Sequence, residues 1–205
     1  MSPRPYRSAR RAVAAERTRA RLLKAASAML AAPGGISLDA VAKRACVTRL
    51  TVYNQFGSRR ALLEAVFDDM AERGGLHRIR EVMQEPDPHA ALQQIVAIFC
   101  DFWSAHRAAL WRLHAVSATD PEFEQSLRAR NERRRHLLSV LVGRMVDGGD
   151  TRPEVATELA DVLFALTSFA LFWELAAGRR STDEVCRLIQ GLAVDAVQRA
   201  LSETE

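Results

Sequence analysis

Along most of the chain, apolar residues recur every three to four positions, the period of a helix with one buried face. Leu22, Ala26, Met29 and Leu30 share a face between about Val13 and Ala32, and Pro33-Gly34-Gly35 stops that helix. Ser37 supplies an N-cap for a short helix through Ala45, with Asp39 in its first turn. A tight turn at Cys46-Val47 leads to Thr48, which caps another short helix through Gln55. Gly57-Ser58 opens a fourth helix carrying Leu62, Leu63, Val66 and Met70, with a place to kink at Gly74-Gly75. Pro86-Asp87-Pro88 then starts a fifth, Asp87 as N-cap and Pro88 at the first helical position. It runs to about His106, and a sixth covers Arg107 to Ser117. Thr119-Asp120-Pro121-Glu122 opens a seventh, closed by Gly148-Gly149. Thr151 with Glu154, and Ser181 with Glu184, are capping-box spacings that start the eighth and ninth. No period-2 alternation and no Asn-Gly or Asp-Gly hairpin signal interrupts this pattern. The expectation is an all-α protein of about nine helices.

The last two helices are the most apolar. Val155, Leu159, Val162, Leu166, Phe169 and Trp173 step by 4, 3, 4, 3 and 4, while Leu163, Phe164, Leu171, Phe172 and Leu175 cover the other sides. Val185, Leu188, Ile189, Leu192 and Ala196 form a second stripe. A helix apolar all round needs partners on every side. Pairing of the two helices with their copies gives a four-helix dimer interface through Val162, Leu166, Phe169, Val185, Leu188, Ile189 and Leu192, and an intrachain core is the alternative. The uncharged run from Val162 to Trp173 is twelve residues, short of the ~18 that span a bilayer, so no membrane partner is expected.

Residues 37–56 read SLDAVAKRACVTRLTVYNQF. Leu38, Val41, Ala42 and Ala45 form the inner stripe of the first short helix, Val47 sits in the turn, and Val52 and Phe56 form the inner stripe of the second. Two short helices joined by so tight a turn bury both stripes only by crossing steeply, with Ala42 and Ala45 small where the backbones approach. The outer face of the second helix then carries Thr48, Arg49, Thr51, Asn54 and Gln55, donors and acceptors that suit base edges and phosphates in a major groove.

Charge supports this. The net +4 of the 205 residues is split unevenly: residues 1–60 hold thirteen Lys or Arg against two acids, a net +11, and residues 61–205 carry −7. A basic head joined to an acidic body is the footprint of a polyanion-binding module attached to a domain with another task. Residues 1–12, with Pro3 and Pro5, read as a flexible basic arm, residues 13–60 as a helix-turn-helix DNA-binding domain, and residues 61–205 as a helical ligand-binding and dimerisation domain. The arginine-rich start has no apolar h-region, so it is not read as a signal peptide. Cys46, Cys100 and Cys186 are odd in number, far apart and in no metal-ligand spacing, which reads as reduced thiols in the cytoplasm.

The turn Ala45-Cys46-Val47-Thr48, the run Thr51-Val52-Tyr53-Asn54-Gln55-Phe56, then Ser58-Arg59-Arg60 and Leu62-Leu63 carry a resemblance. From about Arg17 to Asp68 the chain resembles the DNA-binding domain of the TetR family of repressors. The resemblance implies that Thr51, Tyr53, Ser58 and Arg59 contact the phosphate backbone. It implies that Thr48, Arg49 and Asn54 face bases, and that Ser37 places a helix N-terminus against a phosphate. Arg60, where the family often has Glu, adds a phosphate contact or a solvated charge. Gln55 stands where an aromatic is common, and its role is open. Leu50, where Gly is frequent, touches a thymine methyl or simply packs. Cys46 stands where Gly is common; a positive φ there would cost on the order of 1 kcal/mol. Arg7, Arg10 and Arg11 of the arm either lie in the minor groove or remain solvated.

The resemblance also implies a homodimer on a palindromic operator and a small-molecule effector. Phe99, Trp103, His106, Trp111, His114, Phe123, Phe169 and Trp173 are the candidate lining of a mostly apolar effector pocket, with an aromatic core as the alternative. No enzyme is expected. The five His residues (77, 89, 106, 114 and 136) form no HExxH, and no GxSxG, P-loop or GxGxxG occurs. Cys100 and His106 are six apart, on different faces of a helix. No metal or cofactor is expected. The function expected is a repressor released from its operator by a small, mostly apolar ligand. The alternative is an architectural or ligand-independent DNA binder.

Overall fold

The computed structural model describes residues 5–32, 36–146 and 152–202, and among them there is no strand. In order come α1 (Pro5–Leu30), α2 (Leu38–Arg44), α3 (Arg49–Phe56), α4 (Arg59–Arg73), a 3-10 turn at Leu76–Arg78, α5 (Ile79–Val82), α6 (Pro88–Ala105), α7 (Arg107–Ser117), α8 (Pro121–Val146), α9 (Pro153–Leu166), α10 (Phe169–Ala177) and α11 (Thr182–Ser202). No single described helix is long and apolar enough to cross a membrane; the bent pair α9–α10 passes that test by length and composition only.

The residues sort into two compact units. The first takes the chain up to Met70 together with Ala108–Glu124, and the second takes Ala71–Arg107 with the chain from Gln125 onward. In the first unit Leu22, Ala26, Val41, Val52, Leu62, Leu63, Val66, Leu113 and Phe123 are fully buried. In the second, α11 packs along α6 and α9, and α10 packs against all three. Its core is Ile95, Phe102, Leu138, Leu141, Leu163, Phe172, Val185, Ile189 and Ala193. Each large side chain so buried stabilises by about 1.5–3 kcal/mol relative to exposure.

The predicted caps mostly form. Asp87 accepts from the His89 amide at 2.9 Å with Pro88 at the helix start. Ser181 and Glu184 make the reciprocal capping box: the Ser181 amide donates to Glu184 at 2.7 Å, and the Glu184 amide donates to the Ser181 hydroxyl at 3.2 Å. Hydrogen bonding from the Ser181 amide, and then from the Ser181 side chain, holds the Glu184 carboxyl below its ordinary pKa.

Four expectations differ. First, eleven helices among the described residues replace nine. The expected eighth helix is cut at Thr167-Ser168, where Ser168 leaves helical geometry and its hydroxyl caps α10 through the Leu171 amide at 3.2 Å. Gly75, at φ 80°, ends the α4 segment and seats the 3-10 turn. Second, α1 starts at Pro5, so residues 5–12 of the expected arm are helical. Pro suits the first turn, and the Ala- and Arg-rich stretch behind it has strong helix propensity. Residues 1–4 lie outside the described residues. Third, the N-cap of α9 is Arg152, with no side-chain cap bond; Thr151, like Pro33-Gly34-Gly35 and Gly148-Gly149, lies outside the described residues. Fourth, Phe169, Val185 and Ile189 of the expected dimer seam are at most 5 % exposed in the single chain, so they have no surface to give a second copy. α4 spans residue 60, and the first compact unit runs on to Met70.

Candidate nucleic-acid interface

The helix-turn-helix is built by short-range bonds. Ser37 has extended backbone, and its hydroxyl accepts from the Ala40 amide at 3.2 Å to start α2. The Val47 amide donates to the Ala42 carbonyl at 3.0 Å and the Cys46 amide to Lys43 at 3.3 Å, which closes the turn. Cys46 sits at φ 53°, the left-handed conformation for which glycine is common, and the side chain there costs on the order of 1 kcal/mol. The Thr48 hydroxyl accepts from the Thr51 amide at 3.2 Å and bonds the Thr51 hydroxyl at 2.9 Å, starting α3. Gly57, at φ 72°, ends it, its amide donating to the Tyr53 carbonyl at 2.7 Å.

Val41, Ala42, Ala45, Val52 and Phe56 are buried as the pattern requires, and Arg19 lies 4.8 Å over the Phe56 ring. The opposite face of α3 is in water. Thr48, Arg49 and Asn54 are exposed, Thr51 and Gln55 half-buried, and Leu50 and Tyr53 are 65 % and 56 % exposed. Leu50 therefore does not pack. An exposed leucine beside an exposed tyrosine on a short helix is an apolar patch with no use inside this chain. Arg49 pairs with Asp39 of α2 at 3.5 Å, both side chains mostly in solvent, so the pair holds Arg49 weakly. Lys43 and Arg44, which the sequence reading left out, are exposed at the end of α2 and add charge beside the turn.

The start of α4 differs from expectation. The Ser58 hydroxyl accepts from the Ala61 amide at 3.0 Å and serves as a cap. Arg59 donates from Nε to the Ile36 carbonyl at 3.0 Å and from Nη1 to Asp120 at 3.3 Å. It ties the approach to α2, the start of α4 and the α7–α8 corner together inside the first unit. Arg60 pairs with Glu122 at 3.0 Å and lies 3.7 Å from Glu64. Asp120 and Glu122 were missed because they lie about sixty residues away in sequence, a separation at which local pattern carries no signal.

The eight candidate pocket residues are divided between the two units. Trp111 and His114 are exposed and Phe123 is fully buried, all three in the first unit. In the second unit Phe99, Trp103, Phe169 and Trp173 form a chain of ring contacts with centroids 5.7, 5.6 and 5.9 Å apart, and His106 meets Phe102 at 5.3 Å. A groove of about 480 Å³ in the second unit is lined by Arg78, Glu81, Val82, Gln84, Glu85, Pro86 and Gln94, none of them among these candidates. Among the described residues no cluster of His, Cys, Asp or Glu could hold a metal ion. Cys100 and Cys186 are neighbours across α6 and α11; burial and the second thiol push the Cys100 pKa up, which leaves it a poor nucleophile.

Residues 22–66 match the family model described as bacterial regulatory proteins, tetR family. No curated protein matches the chain in sequence. Among solved structures, the chain is similar to a proposed fatty acid metabolism regulator of Clostridium perfringens, with TM-score 0.69, 18 % identity, 86 % of this chain and 97 % of that one covered. A transcriptional regulator of Rhodococcus sp. Rha1 gives TM-score 0.67 at 20 % identity, with 90 % and 96 % covered. A TetR transcription regulator of Haloarcula marismortui gives 0.66 at 16 %, with 90 % and 98 % covered. Likenesses at this identity show a shared fold.

Proposed function

We propose that this chain, whose residues 22–66 match the tetR family model and whose all-α fold is similar to that of a TetR transcription regulator, is a DNA-binding regulator of that family: a cytoplasmic, homodimeric repressor released from a palindromic operator by a small, mostly apolar ligand. The observation that carries the reading is the solvent face of α3, where Thr48, Arg49, Leu50, Tyr53 and Asn54 are exposed over a fully buried Val52. In the major groove, Thr48, Arg49 and Asn54 read base edges and Leu50 meets a thymine methyl. Tyr53, Thr51 and the α2 N-terminus at Ser37 take phosphates, which orient the helix without reading sequence. Arg60 and the half-buried Gln55 sit at the margin of this face; Arg59 positions the module through Ile36 and Asp120.

The dimer is formed by α9 and α11, whose Val162, Leu188 and Leu192 are 38–40 % exposed in one chain, with Leu166 half-buried beside them. Two copies present α3 twice, so the half-sites are inverted repeats. Ligand binding shifts the dimer between states of different operator affinity. Selection of bound duplexes from a random pool tests the reading. An inverted repeat protected from nuclease is expected; binding with no sequence preference and a salt slope alone would reject it in favour of an architectural role.

A further inference from the structure

The inward stripe of α8 in the second unit is interrupted. Leu127, Arg130, Arg134, Leu138 and Leu141 step by 3, 4, 4 and 3, and the three leucines are buried. Two positions of an apolar seam are therefore arginine. Arg134 is the deeper case. Its Nη1 donates to the Thr167 carbonyl at 2.7 Å, and its guanidinium lies 4.2 Å from the Phe164 ring centre and 5.8 Å from that of Phe99. Its buried Nε has no hydrogen-bond partner. Among the described residues no carboxylate pairs with it, although the neighbouring Arg135 has both Asp161 and Glu132. Arg107 repeats the arrangement, 4.5 Å over Trp173 with its own buried Nε unpartnered. Burial, helped by Arg135, lowers the Arg134 pKa to about 10, so the group is cationic at neutral pH.

A largely desolvated cation without an anion is costly, and such perturbed groups cluster at functional sites. The Arg134 guanidinium stands against the half-buried Phe164 and the buried Phe99, with Trp103 packed on Phe99 and Phe169 on Trp103 in the core behind them. The backbone is also broken here. α9 and α10 meet at 49°, and the Thr167 carbonyl at the break takes a second donor, Trp103 Nε1, at 3.2 Å. That carbonyl stays satisfied when Arg134 changes partner.

We propose that Arg134 is the counter-ion for the carboxylate of an amphipathic organic acid whose apolar part lies among Phe99, Trp103, Phe164 and Phe169. The carboxylate takes Nε and one Nη of the guanidinium side by side, the fork geometry that a lysine lacks. This rests on the proposed effector role of the second unit and names the ligand class.

The test titrates the full chain, without DNA, with decanoate and 2-naphthoate against decanamide, 2-naphthamide and decylamine, following tryptophan emission and the thermal midpoint. At least one acid is expected to bind ten-fold or more tightly than its amide, with the amine weaker still. In Arg134→Met that preference disappears, acid affinity drops at least ten-fold, and the unliganded midpoint is unchanged or higher. Arg134→Gln, which keeps a donor for Thr167, should behave as the methionine variant; Arg134→Lys should keep a reduced acid preference. The inference is overturned if neither acid binds, if an amide or the amine matches its acid, if the preference survives loss of the charge, or if all three variants unfold. Because DNA is absent, a protein that prefers acids yet selects no operator would reject the regulator reading alone. An inverted-repeat operator without acid preference would reject this site alone.

Discussion

Three arginines of the first unit and two of the second are held in opposite ways. In the first, Arg49, Arg59 and Arg60 each have a carboxylate within 3.5 Å, and all three keep two-fifths or more of their side chains in water. In the second, Arg134 and Arg107 lie against aromatic rings with no carboxylate paired to them among the described residues. An exposed pair contributes under about 1 kcal/mol, so DNA phosphate can replace Asp39 beside Arg49 at little cost. A buried cation among rings has no such exchange with solvent. On the proposed reading, the first unit's exposed charges meet a polyanion and Arg134 of the second meets a small anion.

The comparison can be broken at several points. The largest effect should come from the aromatic floor of the second unit: Phe102→Ala, at a fully buried ring, should lower unfolding free energy by about 3–5 kcal/mol in urea. A loss below about 1 kcal/mol would mean that the rings are loosely packed. Next, Arg49→Ala and Asn54→Ala should each cost about 1–3 kcal/mol of operator binding and relax one base position. Their thermal midpoints should barely move, because exposed substitutions change stability within about 0.5 kcal/mol. A drop in stability that tracks the loss of binding would show that the face is structural. Third, Cys46→Gly should raise stability by on the order of 1 kcal/mol by relieving the left-handed turn, with operator binding retained. The smallest effect concerns Glu184. Its folded-state carboxyl is held below the ordinary value, so its stabilisation is present above the unfolded pKa and fades as pH falls through the folded one. Glu184→Gln should therefore melt slightly below wild type at pH 7 and level with it in strong acid.

Legibility in the sequence followed the range of the interactions. Ser37, Thr48, Asp87 and the Ser181–Glu184 box act over two or three residues, and a single sequence shows them. So does the inner stripe of the helix-turn-helix. The break at Thr167-Ser168 was invisible because Leu166 and Phe169 keep helical spacing across it, and a serine inside an apolar run looks the same on a helix as at a cap. Arg59 was read as a phosphate contact because its partner Asp120 is sixty-one positions away. The pocket residues were grouped by composition, and composition does not record that Trp111, His114 and Phe123 fold into a different unit from Trp103. Phe169, Val185 and Ile189 fitted a seam pattern equally well as interface or as core, and burial within one chain decided for core.

The strained turn has a practical consequence. Of the three thiols, Cys46 alone is exposed, at the elbow between α2 and α3; Cys100 is sealed and Cys186 half-buried. Burial pushes the pKa of both inner thiols up, which slows their reaction with alkylating reagents. A maleimide dye should therefore label the native chain at the reading elbow first, with no substitution needed. Its rate of attachment, slowed when duplex covers the elbow, reports occupancy of the operator directly.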